Sequence, residues 1–181
     1  CKQIVKEQFC FQYLYMDCNS IIYDEFHKME EDIAKNIIQL EDIEKILISK
    51  VISKLGVYIS HIQPTKLVFI AFDGVAPLAK MEQQRSRRCK GYITERINNY
   101  TSKNDTTSKW STSNITPGTI FMNNLSKKIK KAFGNLENHY HVENIIVSGS
   151  DECGEGEHKM FQHIRENKKI KSDNIAVYGL D

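Results

Sequence analysis

Gly154-Glu155-Gly156-Glu157-His158-Lys159 places two carboxylates two residues apart between glycines, directly after the apolar run Asn144-Ile145-Ile146-Val147-Ser148. Glycine lets the backbone turn sharply and approach a ligand closely. Carboxylates crowded there repel one another and stay ionised most easily with a cation between them. A solvated acidic loop between strand and helix is the plainer reading of the hexapeptide alone. What strengthens the cation reading is the number of other acids at equivalent places.

Each apolar, strand-like run of the chain leads into acid. The first, Phe11-Gln12-Tyr13-Leu14-Tyr15-Met16, meets Asp17; the second, Lys66-Leu67-Val68-Phe69-Ile70-Ala71-Phe72, meets Asp73; the third leads to Glu155 and Glu157; the fourth, Ile175-Ala176-Val177-Tyr178, leads to Asp181. A single strand-terminal Asp serves commonly as a turn former or helix cap. Acids after all four strands suit hard, oxygen-seeking Mg²⁺ or Mn²⁺, with no Cys or His ligand spacing to suggest a softer metal. Such clusters serve two-metal phosphodiester hydrolysis, with the ions about 4 Å apart.

A basic cluster follows the second strand. In Lys80-Met81-Glu82-Gln83-Gln84-Arg85-Ser86-Arg87-Arg88, the residues Lys80, Gln84, Arg87 and Arg88 recur at helical spacing and share one face. A solvated basic face is the common meaning of such a run. Its position just after Asp73, and its mixture of guanidinium, ammonium and amide, suit a grip on a terminal phosphate. Tyr23 is placed to stack on a base or to pack in the core. For His158 and Lys159, a supporting or surface role is the plainer reading beside phosphate contact.

The elements that must position these residues can be read from periodicity. Leu40, Ile43, Leu47, Val51, Leu55, Tyr58 and Ile62 form a helical stripe over residues 40–62. A second helix is expected from Pro77 to about Ile97. Asn98 to Ser113, rich in Ser, Thr, Asn and Lys, reads as an exposed, mobile loop. Thr116-Pro117-Gly118-Thr119 opens a helix with Phe121, Leu125, Ile129 and Phe133 on one face, and the helix after the Glu pair carries Met160, Phe161 and Ile164. Strands alternating with helices predict an α/β fold: a mainly parallel sheet with helices on both faces. Ligands of such sheets bind outside the carboxyl ends of the strands, where the acids converge.

At 181 residues, the chain reads as one domain or part of one. A formal net charge of +2 advertises no global field for nucleic acid, so any such partner acts through local clusters. Five scattered cysteines favour a reducing compartment, and no membrane-spanning run or leader pattern is visible. Residue 1 is Cys and the chain stops at Asp181 just after a strand, which reads as a fragment.

With these motifs in view, the chain resembles the XRN-type 5′-to-3′ exoribonucleases. The resemblance is carried by Tyr15-Met16-Asp17-Cys18-Asn19-Ser20-Ile21-Ile22 and by Phe72-Asp73-Gly74-Val75-Ala76-Pro77 running into Lys80 to Arg88. Ser113-Asn114-Ile115-Thr116-Pro117-Gly118-Thr119, Ser148-Gly149-Ser150-Asp151 with Gly154 to Lys159, and Tyr178-Gly179-Leu180-Asp181 complete it. It implies a PIN-like/FEN-like nuclease fold, with residues 1–181 the N-terminal part of one nuclease domain truncated at both ends. It also implies hydrolysis of single-stranded RNA from a 5′-monophosphate to 5′-mononucleotides; an intracellular setting is expected, the cytoplasm ahead of the nucleus with both left open. The implied Mg²⁺ ligands are Asp17, Asp73, Glu155, Glu157 and Asp181, and the implied 5′-phosphate pocket is Lys80, Gln84, Arg87 and Arg88. The chain departs from the family at Tyr23, where a stacking His is usual, at Leu78 for Arg, and at Cys153 for Pro. A related flap or DNA 5′-nuclease, or an RNA-binding homologue of weakened catalysis, are the competing expectations.

Overall fold

The computed structural model describes residues 10–35, 37–102, 110–167 and 173–179. Four strands, β1 (Tyr13–Asp17), β2 (Leu67–Ala71), β3 (Asn144–Ser148) and β4 (Ile175–Tyr178), form one sheet in the order β3-β2-β1-β4. All three pairings are parallel. The register sets Asp17 opposite Ala71, Ala71 opposite Ser148, and Met16 opposite Tyr178. The carboxyl ends are therefore level, and the residues just beyond them share one edge.

Side chains alternate across this sheet with period two, and each face has its own cover. Leu14, Met16, Val68, Ile70 and Phe72 join the larger core cluster with α1 (Asn19–Ala34), α2 (Ile43–Ile62) and α4 (Ile120–Phe133). Tyr13, Tyr15, Leu67, Phe69 and Ala71 face Met160 and Ile164 of α6 (Gly156–Glu166). The handedness rule explains the division. From β1 through β3 the chain advances in one direction, so right-handed crossovers put α1, α2 and α4 on one face. The return to β4, beyond β1, reverses direction and puts α6 on the other. The expected parallel sheet with helices on both faces is the observed architecture.

Several boundaries differ from expectation. Leu40 lies before α2 and is 46% exposed, while Ile43, Leu47, Val51, Leu55 and Ile59 carry the buried stripe. Residues 19–34 form α1, whose buried Ile21, Ile22, Phe26 and Met29 are interspersed with acids that mask the pattern. The helix after Pro77, α3 (Leu78–Ser102), runs past Ile97, so the first part of the expected loop is helical. Residues 103–109 of that loop lie outside the described residues. Near its end, where Thr112 and Ser113 are exposed, Trp110 anchors it: the ring packs 4.7 Å from Phe26 and 5.4 Å from Phe121 between centroids. A 3-10 turn (Thr112–Asn114) follows, and the Thr119 hydroxyl caps α4 by accepting from the Met122 N–H at 3.3 Å. A short α5 (Glu137–Tyr140) precedes β3.

α3 differs from the other long helices in leaving its apolar residues to solvent. Leu78, Met81, Tyr92, Ile93 and Ile97 are exposed, and none of its described residues is buried. Among the described residues, no helix is long and apolar enough to cross a membrane.

Candidate active site

Two loops leave the level strand ends side by side. After β2 come Phe72, Asp73 and Gly74; after β3 comes the loop 149–155. Their backbones exchange hydrogen bonds: Gly74 N–H donates to Gly154 O at 2.8 Å, and Gly154 N–H donates to Val75 O at 3.0 Å. A Cβ at position 74 would overlap the Glu152 carbonyl, so only glycine admits this approach. α4 braces the second loop from outside. Ser126 Oγ accepts from the Ser150 N–H at 3.1 Å, and Lys130 Nζ lies 2.9 Å from an Asp151 carboxylate oxygen.

Asp73 is held on both oxygens. Oδ1 accepts from the Gly156 N–H at 2.8 Å, at the amino end of α6, and Oδ2 accepts from the Asn19 carboxamide at 2.6 Å. Asn19 Oδ1 in turn accepts from the Asp73 N–H at 3.1 Å. Asp17 ends β1 on the other side of Gly156, where an added Cβ would sit 2.5 Å from Asp17 Oδ1. Glycine at 156 is what allows two carboxylates to close on one helix terminus. Burial pushes the Asp73 carboxyl above the usual carboxylate range, and the nearby Glu155 charge adds to this. The Gly156 N–H and the Lys159 and Lys80 cations oppose it.

Glu155 precedes α6 in extended conformation, and its side chain does not cap the helix. It is 6% exposed, with Oε2 2.7 Å from Lys80 Nζ and 3.5 Å from His158 Nδ1. The hydrogen bond to Glu155 holds the Lys80 ammonium above its ordinary value, reinforced by the charges of Glu155, Asp73 and Glu157. With its side chain 44% exposed, Lys80 is well screened, so the pair matters more to the local field than to stability.

One cleft of about 570 Å³ gathers half of the expected site, with Asp17 outside its lining. Its lining includes Asp73 and Glu155, Lys80 and Gln84 from α3, Tyr23 from α1, and residues 111–113 and 115–117 opposite. Glu157 is exposed in the first turn of α6, beyond the buried floor formed by Glu155. The side chains of Arg87 and Arg88, and all of Asp181, lie outside the described residues. Asn19 and Tyr92 are additions that sequence reasoning did not single out. Asn19 had one signal, a carboxamide two residues after a strand-end Asp. Tyr92 lies on the cleft, 59% exposed, with the Arg96 guanidinium 5.6 Å from its ring centroid.

Asp17, Asp73 and Glu155 offer carboxylate oxygens of the kind Mg²⁺ or Mn²⁺ takes. The elevated Asp73 pKa marks a place where an added cation would be favourable. Among the described residues, no group of three His, Cys, Asp or Glu is arranged to hold an ion. The oxygens are engaged instead by the Gly156 amide, Asn19 and Lys80.

Fold and site together define an α/β protein with an acid-floored, lysine-bordered cleft at the carboxyl edge of a parallel sheet. Residues 1–181 match the family described as XRN 5′-3′ exonuclease N-terminus, and the chain belongs to that family. It is 34% identical over 187 residues to 5′-3′ exoribonuclease 1 of Saccharomyces cerevisiae, covering 94% of this chain and 12% of that protein. It is 35% identical to 5′-3′ exoribonuclease 1 of Schizosaccharomyces pombe, covering 100% of this chain and 14% of the relative. The human 5′-3′ exoribonuclease 1 is 34% identical, covering 99% of this chain and 11% of its own length. The chain thus spans about an eighth of the length of these relatives.

Proposed function

We propose that this chain is the N-terminal part of a 5′-to-3′ exoribonuclease that hydrolyses single-stranded RNA from a 5′-monophosphate end and releases 5′-mononucleotides. The supporting observation is the cleft in which Asp73 and Glu155 share a wall with Lys80 and Gln84. Carboxylates suited to phosphodiester hydrolysis lie there beside an ammonium and an amide suited to a terminal phosphate, which fits relatives named 5′-3′ exoribonuclease.

In this reading Asp17, Asp73, Glu155, Glu157 and Asp181 hold two Mg²⁺ or Mn²⁺ ions. Bound there, the ions supply an activated water and stabilise the leaving oxygen. Lys80 and Gln84, with Arg87 and Arg88, fix the terminal phosphate and hold the next linkage over the acids. Tyr23 offers a face to the terminal base. Asn19 and the Gly156 amide keep the Asp73 carboxylate oriented. The free thiols of Cys10, Cys18, Cys89 and Cys153 fit the reducing, cytoplasmic setting proposed for the enzyme.

Replacing Glu155 and Glu157 together by Gln in the full-length protein tests the reading. Cleavage of 5′-phosphorylated RNA should vanish while RNA binding persists; surviving cleavage would refute the acid assignment.

A further inference from the structure

The Lys159 side chain points inward. It is 8% exposed, and its ammonium donates to Phe72 O at 2.8 Å and to Gly149 O at 2.7 Å. These two carbonyls belong to the two loops that carry the acids. Phe72 directly precedes Asp73, and Gly149 is the first residue beyond β3. The last rung joining the strands is Phe72 N–H to Ser148 O, at 2.9 Å. Past that rung the ladder ends, and carbonyls buried there need another donor. Lys159 also sits one turn into α6, with its own N–H donating to Glu155 O at 3.0 Å. One residue thus ties the end of β2, the end of β3 and the start of α6.

Packing does not account for a lysine here. A methionine would fill similar volume without the cost of burying a charge, which is large unless the charge is paired and hydrogen-bonded. The ammonium makes hydrogen bonds to carbonyls from both loops and lies near the Asp73, Glu152 and Asp151 charges. We propose that Lys159 is a positioning residue: its buried ammonium clamps the loops after β2 and β3 together and so fixes Asp73 relative to Glu155.

The activity readout rests on the proposed nuclease function; the backbone readout does not. Lys159→Met and Lys159→Gln are made in the full-length protein, with Lys128→Met on the exposed face of α4 as control. Hydrogen–deuterium exchange should accelerate about tenfold at residues 72–75 and 149–155 in Lys159→Met, with β1 and α4 unchanged. Lys159→Gln, retaining an N–H donor, should fall between it and the wild type. Mn²⁺ affinity and kcat should each drop about 10–100-fold, as when groups that orient metal ligands are removed, while KM for RNA stays within about threefold. Unchanged exchange in the two loops overturns the proposal, whatever the activity. So does a uniform rise in exchange with kcat and KM failing together, which would make Lys159 a general stability residue. If Lys159→Met does not fold, Lys159→Gln decides by the same criteria. A wild-type protein inert toward RNA would refute the nuclease reading and leave the exchange result standing.

Discussion

The Gly156 N–H donates to Asp73 Oδ1 at 2.8 Å, joining the start of α6 to the loop after β2. The helix amino terminus favours the negative charge it contacts, so main-chain geometry together with the Asn19 carboxamide sets where this carboxylate lies. Asp17 presses on the same glycine from the other side.

Gly156→Ala should therefore be destabilising by about 1–3 kcal/mol, the usual cost of forcing an extra methyl into filled space. Gly91→Ala is the counterpart. Nothing stands within 4 Å of a Cβ there, and helix α3 should gain about 0.5–1 kcal/mol from the lost glycine. Urea unfolding of both variants checks the pair; equal and small effects would contradict the crowding at Gly156.

Asp73 should make stability fall with rising pH. Its carboxyl is held above the usual range in the folded protein, so the folded state binds this proton more tightly than the unfolded chain does. The group's contribution is present at acid pH and is lost as pH rises from the ordinary carboxylate value through the raised one. In EDTA, the wild type should lose melting temperature relative to Asp73→Ala, which cannot titrate there, as pH rises from about 4 to 7. A wild type that gains on Asp73→Ala over that range would reverse the assignment.

The strands, with Asp17 and Asp73 at the ends of two of them, were legible because a short apolar run ending in Asp has few other readings in a strand–helix alternation. The edge they share followed from topology alone. α1 was harder: Ile21, Ile22, Phe26 and Met29 are separated by acids, and Glu25 is itself buried. α3 runs to Ser102 rather than to about Ile97, and Ile93 and Ile97 are exposed, so no buried stripe marks its end. For Lys159 a supporting role could be read, but its partners could not. Whether a lysine faces water or a pair of carbonyls depends on where two loops 77 residues apart in sequence, at Phe72 and Gly149, come together.

Trp110 fastens the wall of the cleft formed by residues 111–117 to Phe26 and Phe121. Trp110→Ala should cost about 3 kcal/mol or more and weaken RNA binding as well. Fluorescence anisotropy with a labelled oligonucleotide measures the second effect. Unaltered binding in a folded variant would detach this wall from the substrate path.

Lys80 should contribute to 5′-end choice. Lys80→Met should reduce the preference for a 5′-phosphate about tenfold or more, the scale of one charge-assisted hydrogen bond, and should flatten the salt dependence of binding. Competition between phosphorylated and hydroxyl-ended oligonucleotides gives the ratio, and an undiminished preference would return Lys80 to pairing with Glu155 alone.

The most direct test uses the full-length protein with Mg²⁺ on one RNA bearing a 5′-monophosphate, a 5′-hydroxyl or a cap. Stepwise release of mononucleotides from the monophosphate form, with the other two spared, is the predicted result. Equal digestion of all three ends, or none of any, would contradict a cleft in which Lys80 and Gln84 hold a terminal phosphate beside Asp73 and Glu155.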